Sequence, residues 1–316
     1  MSELTLIGDI GGTNARFAVA ERGHYADLQH LEVHHYATLQ EALAQYLAAL
    51  PAARRPGRAA LALAGPIAGD EVSLTNGNWS FSISRLQKAF GFTSLIVLND
   101  FAANALAIPH LRPDDSCAIG PLAGGAGGPV GVLGPGTGLG VSALVPSNGR
   151  WDLLPGEGGH VTMPAENETE DRILAILRRR FGHVSAERVL CGAGLVNLYH
   201  ALSEIAGAAA MNYTPADVTT HALDRTDARC VAAFGHFCAM LGGVAGNLAL
   251  TLGATGGIYL AGGILPRFRQ PLAASDFRAR FEAKGRMTDY LRRIPTLLIV
   301  NDEPALLGLA NLPAPA

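Results

Sequence analysis

Two glycine-rich segments carry the residue types that bind phosphate groups. The first is Gly8-Asp9-Ile10-Gly11-Gly12-Thr13, and the second runs from Gly134 to Gly140. Residues without a Cβ let the backbone approach an anion and point successive N–H groups at its oxygens. Each segment lies between two strand-like runs, which predicts a hairpin turn, whereas a Walker or Rossmann loop joins a strand to a helix. Two such hairpins could hold one triphosphate.

Each glycine segment also contains one side chain suited to a triphosphate. The carboxylate of Asp9 would be costly beside phosphate unless it held a divalent cation, which for Mg²⁺ is usually bound through water. The hydroxyl of Thr137 is a donor for a phosphate oxygen. Either segment alone is a weak signal, because ordinary tight turns are also rich in glycine. The pair is a stronger indication of a nucleotide site than either segment by itself.

A third motif places two polar residues at the end of an apolar run. Ile96 to Leu98 is rich in β-forming residues, Asn99 and Asp100 follow, and a helical pattern begins after them. Asp100 is therefore predicted at the carboxyl end of a strand, where α/β sheets place groups that handle ligands. Asparagine and aspartate are also favoured N-caps of helices. From this motif alone, a cap and a catalytic role remain equally open.

A fourth motif presents a carboxylate and an imidazole on one loop. Glu157 and His160 are separated by two glycines in the segment from Leu154 to His160. Such a loop can direct both side chains at one small polar ligand, although a solvated surface loop is the alternative. A zinc site is less favoured, because the nearby cysteines or second histidine that a closed site requires are missing from the segment.

Two further segments can contribute to a ligand site. Glu187 is predicted to start a helix, with Ser185 as its cap, so that its carboxylate either favours the helix dipole or faces a ligand. Gly256 to Ile264 is predicted to be a strand that ends in the turn Gly262-Gly263. The small residues of this turn could let an adenine ring lie flat against the backbone.

These residues require a scaffold in which strands alternate with helices, which is typical of an α/β fold. Leucines at helical spacing predict a helix over 39–50, and a Gly- and Pro-rich segment, including the cluster from Gly124 to Gly128, predicts a boundary near residue 110. The chain is predicted to be mainly helical between residues 168 and 252, with a short helix over 304–312. The predicted strands cover residues 4–10, 17–20, 30–36, 59–64, 95–98, 130–133, 139–145, 257–260 and 296–300.

Length and composition favour a two-lobed globular protein that acts on a small molecule. The chain has 316 residues, of which 49% are hydrophobic and 16% are charged, which is enough apolar material to build well-buried cores. The net charge of -3 argues against nonspecific binding to nucleic acid or to an anionic membrane.

Compartment signals point to the cytoplasm. The four cysteines form no C-x-x-C pair, which favours reduced thiols. The first residues lack the pattern of a secretory signal. Residues 231–252 are apolar, but His236, Asn247 and several glycines favour a buried core helix over a membrane span.

The two glycine segments and the motifs around Asp100, Glu157 and Gly262 follow one another along the chain as they do in the bacterial glucokinases. The sequence therefore resembles that family, which is part of the hexokinase, actin and sugar-kinase superfamily. The resemblance covers essentially the whole chain and includes the ending from Tyr290 to Pro295 and the later Leu306-Leu307-Gly308. It implies an actin-like, hexokinase-like ATPase fold with two α/β lobes around a cleft. The implied lobes are residues 1–110, completed by a returning helix within 301–316, and residues 111–300.

The resemblance also implies a reaction and a set of site residues. The reaction is phosphorylation of D-glucose at its 6-hydroxyl by Mg-ATP, with Asp100 as catalytic base and Asp9 near the Mg²⁺. The implied sugar ligands are Asn99, Asp100, Glu157, His160 and Glu187. The implied nucleotide ligands are Gly8, Asp9, Ile10, Gly11, Gly12, Thr13, Gly136, Thr137, Gly138, Gly262 and Gly263. The segment Thr75-Asn76 and Trp79 resemble the substrate-side loop of the family, and a homodimer is the implied assembly.

The sequence departs from the family pattern at three positions. Pro135 lies in the second glycine segment, and Cys191 and Ala193 stand where the family tends to have serine and proline. None of these departures removes a reacting group. The neighbouring repressor and kinase family adds a cysteine-rich zinc motif after its Glu-x-Gly-His segment, whereas here Cys191 is the next cysteine after His160, so no structural zinc is predicted.

Two other classes of function remain as alternatives. The chain could phosphorylate mannose, fructose or an N-acetylated hexosamine, or use polyphosphate as its donor. It could instead be a sugar-sensing regulator, which would be expected to carry a helix-turn-helix extension or to have lost the base. The presence of Asp100 favours an enzyme.

Overall fold

The computed structural model describes residues 4–74, 77–122 and 127–312. The chain divides into two compact units, of which the first contains residues 1–112 with 301–316 and the second contains residues 113–300. The sequence implied lobe boundaries near residues 110 and 300, and these boundaries stay a prediction; the two compact units divide after residues 112 and 300. Of the sequence motifs, Thr75-Asn76 and most of the glycine cluster 124–128 lie outside the described residues.

The described strands and helices have the following bounds. The strands are β1 (Thr5–Ile10), β2 (Asn14–Glu21), β3 (His24–Glu32), β4 (Arg58–Leu63), β5 (Glu71–Ser73), β6 (Ser80–Ser82), β7 (Ser94–Asn99), β8 (Ser116–Ala118), β9 (Val130–Pro135), β10 (Leu139–Ser147), β11 (Arg150–Gly156), β12 (Gly257–Leu260) and β13 (Thr296–Ile299). The α-helices are α1 (Leu39–Ala49), α2 (Ile83–Phe90), α3 (Asp100–Ala107), α4 (Glu168–Phe181), α5 (Gly192–Ile205), α6 (Pro215–Leu223), α7 (Ala228–Leu252), α8 (Arg269–Ala273), α9 (Phe277–Glu282), α10 (Thr288–Arg292) and α11 (Pro304–Ala310).

The first unit is built on a five-stranded sheet in the order β3-β2-β1-β4-β7. Strands β1, β4 and β7 are parallel, whereas β2 and β3 join them as antiparallel neighbours. Side chains alternate between the two faces of the sheet, as a strand period of two requires. Phe17 and Val19 of β2 belong to the core that includes α1, while Ala18 belongs to the core that includes α3 and α11. The sheet is therefore covered on both faces.

The second unit contains a six-stranded mixed sheet in the order β11-β10-β9-β12-β13-β8. Strands β9, β12 and β13 are parallel, and the others are antiparallel to their neighbours. Its core is one large cluster of buried residues contributed by this sheet and by helices including α4, α5, α7 and α9. Because β9 and β10 form a hairpin within this sheet, the second glycine segment is supported by the core of the unit.

Helix α7 is the described helix that is long and apolar enough to cross a membrane. Such a helix is weak evidence of a membrane span, since 61% of its most apolar window is buried inside the unit. Gly242 and Gly246 let it pack closely on α9, because a Cβ at Gly242 would lie 2.1 Å from the carbonyl oxygen of Phe277. The structure thus has a core helix where the sequence predicts one.

Some predicted element bounds are wrong, and the errors share a cause. The strand predicted over residues 30–36 is instead β3, His24–Glu32, followed by a 3-10 helix over Val33–His35. Strand β11 occupies part of the predicted loop from residue 154. Both are edge strands with mostly exposed side chains, so they lack the apolar pattern by which strands are recognised. The short strands β5, β6 and β8 were also not predicted.

The helix predicted to start at Glu187 is also wrong. Residues 186–190 form turns, and helix α5 begins only at Gly192. Ser185 does accept a hydrogen bond from the N–H of Arg188, at 3.3 Å, but it caps a turn rather than a helix. The Sγ of Cys191 accepts the N–H of Gly194 at 3.3 Å and is the actual N-cap of α5.

Candidate functional site

The first glycine segment forms the hairpin that the sequence predicts. Strands β1 and β2 pair in antiparallel register, and the N–H of Gly11 donates to the carbonyl oxygen of Asn14 at 2.9 Å. Gly11, Gly12 and Thr13 form the turn and are partly or fully exposed. Gly8 and Ile10 are instead buried within β1, where Gly8 lies between Phe17 and Leu61 of the neighbouring strands. The exposed turn residues are therefore better placed than Gly8 and Ile10 to contact a ligand.

Asp9 belongs to a row of charged residues that crosses three strands. In the strand register Arg16 lies opposite Asp9 on one side and His30 on the other. Nη1 of Arg16 donates to Oδ2 of Asp9 at 2.9 Å, and Nε of Arg16 lies 3.1 Å from Oε2 of Glu303. Glu303 immediately precedes α11, and its Oε1 lies 3.5 Å from Nε2 of His30. Two carboxylates thus share one guanidinium.

Burial makes this row a favourable place for a cation. It raises the pKa of Asp9, an effect that the Arg16 guanidinium only partly opposes. Burial likewise raises the pKa of Glu303 to about 7, against the lowering effect of Arg16. Among the described residues, Oε2 of Glu303 has no well-aligned hydrogen-bond donor. Carboxylate oxygens are the ligands that Mg²⁺ prefers, so the donor atoms and the excess negative charge both fit this ion.

Asn99 and Asp100 lie at the junction of β7 and α3. Asn99 is the N-cap of α3, since its Oδ1 accepts the N–H of Phe101 at 2.8 Å, and its Nδ2 donates to the carbonyl oxygen of Gly65 at 3.1 Å. The capping alternative is therefore confirmed for Asn99. Asp100 is the first residue of the helix, half-buried, with Oδ1 3.0 Å from the N–H of Phe101.

The sheet of the first unit brings its two candidate motifs to one edge. Ile10, Leu63 and Asn99 are aligned in register across the parallel strands β1, β4 and β7. The glycine turn and Asp100 both follow this row, at the carboxyl ends of strands two positions apart. Neighbouring strands are spaced by about 4.8 Å, which separates the two motifs by roughly 10 Å. A phosphate group on the turn and a hydroxyl at Asp100 can therefore belong to one reaction.

The second glycine segment is also a hairpin, between β9 and β10. At its turn the N–H of Gly136 donates to the carbonyl oxygen of Gly138 at 2.8 Å, and the carbonyl oxygen of Gly136 accepts the N–H of Gly192, at the start of α5, at 3.0 Å. Gly262 has a φ of 89°, and a Cβ there would lie 2.5 Å from the carbonyl oxygen of Pro135. The structure therefore places the Gly262-Gly263 turn directly against the second hairpin.

Glu187 ties this hairpin to the segment that carries Glu157 and His160. Its Oε2 accepts the N–H of Leu139 at 2.9 Å, and its own N–H donates to the carbonyl oxygen of Gly159 at 2.8 Å. A Cβ at Gly138 would lie 2.4 Å from this carboxylate, so a larger residue there would displace the Glu187 side chain from the N–H of Leu139. The Glu187 side chain is half-buried, and Oε2 is the oxygen that makes this bond.

Glu157 and His160 lie together on the surface of the second unit. Glu157 follows β11, and His160 ends a 3-10 helix over Gly158–His160. Oε2 of Glu157 lies 3.9 Å from Nε2 of His160, and the two side chains are 58% and 60% exposed. Gly159 between them is buried. The structure therefore brings Glu157, His160 and Glu187 together around the second hairpin.

Three residues of the charged row were not predicted from the sequence, although one signal was present. A hairpin whose turn is centred between residues 12 and 13 pairs residue 9 with residue 16, so Arg16 could have been identified as the partner of Asp9. Glu303 is remote in sequence and gave no such signal. Trp79 is buried, and its indole N–H donates to the carbonyl oxygen of Tyr36 at 3.1 Å, so its position favours a role in the core.

Comparison with known proteins gives matches over essentially the whole chain. The chain is 63% identical over 313 residues to a glucokinase from Nitrobacter hamburgensis, covering 99% of this chain and 98% of that protein. It is 49% identical over 314 residues to a glucokinase from Paramagnetospirillum magneticum, covering 99% and 98%.

Solved structures share the fold. A glucokinase from an Antarctic psychrotroph superposes with a TM-score of 0.88 at 37% identity and covers 98% of both chains. A ROK family glucokinase from Streptomyces griseus, solved in complex with glucose and AMPPNP, has a TM-score of 0.64 at 16% identity, again with 98% of both chains covered. The prediction of an α/β sugar-kinase fold is thereby confirmed.

A model of the family described as Glucokinase matches residues 6–315. This match includes every residue that the sequence assigns to the reaction. Together with the full-length relatives, it establishes that the chain belongs to the glucokinase family.

Proposed function

We propose that this chain transfers the γ-phosphate of ATP to the 6-hydroxyl of D-glucose, with Asp100 as the base that accepts the hydroxyl proton. The observation that carries the reaction is the 63% identity, over nearly the full length of both chains, to a glucokinase. The assignment of Asp100 is supported by its place at the carboxyl end of β7, on the same sheet edge as the first glycine turn.

The surroundings of Asp100 suit a base that must be held in position. Phosphoryl transfer asks a protein mainly for alignment and for stabilisation of charge. Asn99 fixes the start of α3 through bonds to Gly65 and Phe101, and Asp100 is the next residue along the chain. There it would take the proton as the hydroxyl oxygen attacks the γ-phosphorus in line.

The charged row is the proposed place of Mg²⁺. Asp9 would hold the ion through water, because Mg²⁺ usually keeps several of its waters. The ion would neutralise charge on the phosphate oxygens. Arg16 holds one oxygen of Asp9 at 2.9 Å and so fixes the direction of the carboxylate. The N–H groups of the turn Gly11–Thr13 would bind phosphate oxygens directly.

We assign recognition of the sugar hydroxyls to Asn99, Asp100, Glu157, His160 and Glu187, and recognition of the nucleotide to the two glycine hairpins with Gly262 and Gly263. A site that pairs particular hydroxyls penalises an analogue that leaves its groups unmatched. Epimers of glucose are therefore expected to be poor substrates. A cytoplasmic homodimer completes the proposal, and sedimentation of the purified protein tests that assembly.

The first experiment is a coupled assay with Mg-ATP across glucose, mannose, fructose and N-acetylglucosamine. We expect turnover on glucose, and Asp100→Asn is expected to lower kcat by roughly 10²- to 10⁴-fold while glucose binding, measured by calorimetry, is retained. Asp114→Asn, at an exposed aspartate of the second unit, is the matched control.

Each other outcome of this assay has a definite meaning. Undiminished turnover in Asp100→Asn would remove Asp100 from the mechanism. Turnover on another sugar would keep the mechanism and change the substrate. Glucose binding without turnover in the wild-type protein would favour the sensing regulator.

A further inference from the structure

Three side chains with metal-binding atoms lie together on the first unit, apart from the residues assigned to glucose and ATP. Among the described residues, Glu32, His34 and His35 form a group whose ligand atoms all lie within 4.8 Å of one another. The Nε2 atoms of His34 and His35 lie 3.5 and 3.7 Å from Oε2 of Glu32. Ligands about 2 Å from a tetrahedral ion are roughly 3.3 Å apart, so small side-chain rotations would bring all three atoms to bonding distance.

The backbone presents these side chains on one anchored turn. Strand β3 ends at Glu32, and the 3-10 helix Val33–His35 follows. Glu32 is the extended residue that precedes this helix, and the turn brings His35 back to within 3.7 Å of its carboxylate. Val33 is buried, and its N–H donates to the carbonyl oxygen of Thr13 at 2.9 Å. The turn is therefore fixed from the core side while its three metal-binding side chains face solvent.

We propose that Glu32, His34 and His35 bind one divalent transition-metal ion of the Zn²⁺ and Ni²⁺ type. Two imidazole nitrogens and one carboxylate oxygen suit these ions, whereas Mg²⁺ prefers a set of oxygen ligands. All three side chains are more than half exposed, so an ion reaches them directly and water completes its coordination. The charged row has one imidazole, that of His30, beside its two carboxylates, so this site differs from it in offering two imidazoles.

The site adjoins the first glycine hairpin through the backbone. Glu32 is the register partner of Asn14, the first residue after the turn. An ion that joins Glu32 to both histidines would hold the end of β3 rigid. The residue after Glu32 is Val33, whose N–H donates to the carbonyl oxygen of the turn residue Thr13. Metal binding does not depend on the proposed function, because none of its ligands is assigned to glucose or ATP.

Calorimetric titration of Ni²⁺ into the nucleotide-free full chain, previously treated with a chelator, tests the proposal. We expect one Ni²⁺ per chain, with affinity lowered roughly tenfold or more by His34→Ala, by His35→Ala and by Glu32→Gln. His24→Ala, at an exposed histidine of the same strand, is the matched control and is expected to leave the affinity unchanged. Thiols are weak competitors for Ni²⁺ in this test, because Cys191, Cys230 and Cys238 are buried and Cys117 is half-buried.

A second measurement locates the ion. Trp79 donates to the carbonyl oxygen of Tyr36, the residue after His35, so Cu²⁺ at the site is expected to quench Trp79 emission in a Trp151→Phe background. The quenching should disappear in the double variant His34→Ala/His35→Ala. Circular dichroism is used to check that this variant is folded. Ni²⁺ binding that survives in this double variant, or Cu²⁺ that leaves Trp79 unquenched, would overturn the proposal.

Discussion

Charge and burial are closely linked at Asp9, Arg16 and Glu303. Arg16 lies between two carboxylates, 2.9 Å from one and 3.1 Å from the other. One guanidinium cannot balance both, and burial raises the pKa of each acid. The group therefore gains from a further positive charge, either a proton on a carboxylate or the ion proposed at Asp9.

Glu303→Gln is expected to change how stability depends on pH. Burial raises the pKa of Glu303 from 4.5 to about 7. The folded state therefore favours its protonated form, and this contribution is complete below about pH 4.5 and is lost as the pH rises through about 7. The free energy of unfolding of wild type relative to Glu303→Gln should fall by about 2 kcal/mol between pH 5 and pH 8.

Urea unfolding in magnesium-free buffer, followed by Trp79 emission in a Trp151→Phe background, measures this difference. Glu168→Gln, at an exposed glutamate, is the control and should show a flat difference across the same pH range. A flat difference for Glu303→Gln as well would mean that Glu303 is ionised normally in the folded protein.

Helices α4, α7 and α9 of the second unit are joined by a buried group of charged side chains. Glu170 of α4 is fully buried and accepts two bonds from Arg280 of α9, at 2.8 and 3.0 Å. His236 of α7 lies 3.9 Å from the same carboxylate. Burial raises the pKa of Glu170, but His236 and Arg280 outweigh it, so the pKa falls to about 2.

Arg280→Met is expected to lower the free energy of unfolding by about 3 to 5 kcal/mol, because it leaves a buried carboxylate without its main partner. Glu170→Gln combined with Arg280→Met should recover much of this loss, since neither charge remains.

In wild type the stability that the ionised Glu170 contributes is present above about pH 4.5 and is lost as the pH falls toward 2. Urea unfolding of the single and double variants checks the prediction, which is wrong if Arg280→Met costs under about 1 kcal/mol.

Among the strands and helices, those with contiguous apolar residues could be predicted from the sequence, and those with exposed side chains could not. Strands β4 and β7 were predicted because their apolar residues are contiguous, and the two glycine hairpins because each turn lies between such runs. The edge strands β3 and β11 were not, since most of their side chains are exposed. The contacts of Glu303 and Glu187 depend on residues far away in sequence, which local patterns do not report.

For the whole molecule, the decisive feature is that the first unit is assembled from both ends of the chain. Helix α11 packs on α3 and on the sheet of the first unit, with Leu306 and Leu309 buried in the shared core. The second unit, residues 113–300, is continuous in sequence. Stability of the first unit therefore depends on residues that follow the entire second unit.

A chain ending at Val300 is expected to lose the fold of its first unit. Burial of Leu306 and Leu309 contributes about 1.5 to 3 kcal/mol each, a large share of the 5 to 15 kcal/mol typical of a domain. Trp79 lies in the first unit and is buried, so its emission in a Trp151→Phe background should shift to the red. Leu306→Ala, expected to cost about 2 to 5 kcal/mol, gives an intermediate test. Unchanged Trp79 emission in the truncated chain would contradict this dependence.

The place of α11 also sets an order of events during synthesis. The strands of the first unit leave the ribosome early, but α11 follows only after residues 113–300 have been made. At about 5 to 20 residues per second this interval lasts roughly 10 to 40 s. During that time the sheet face of Ile7, Ala18 and Ala60 that α11 will cover is open to chaperones and to other nascent chains, while the second unit can already fold.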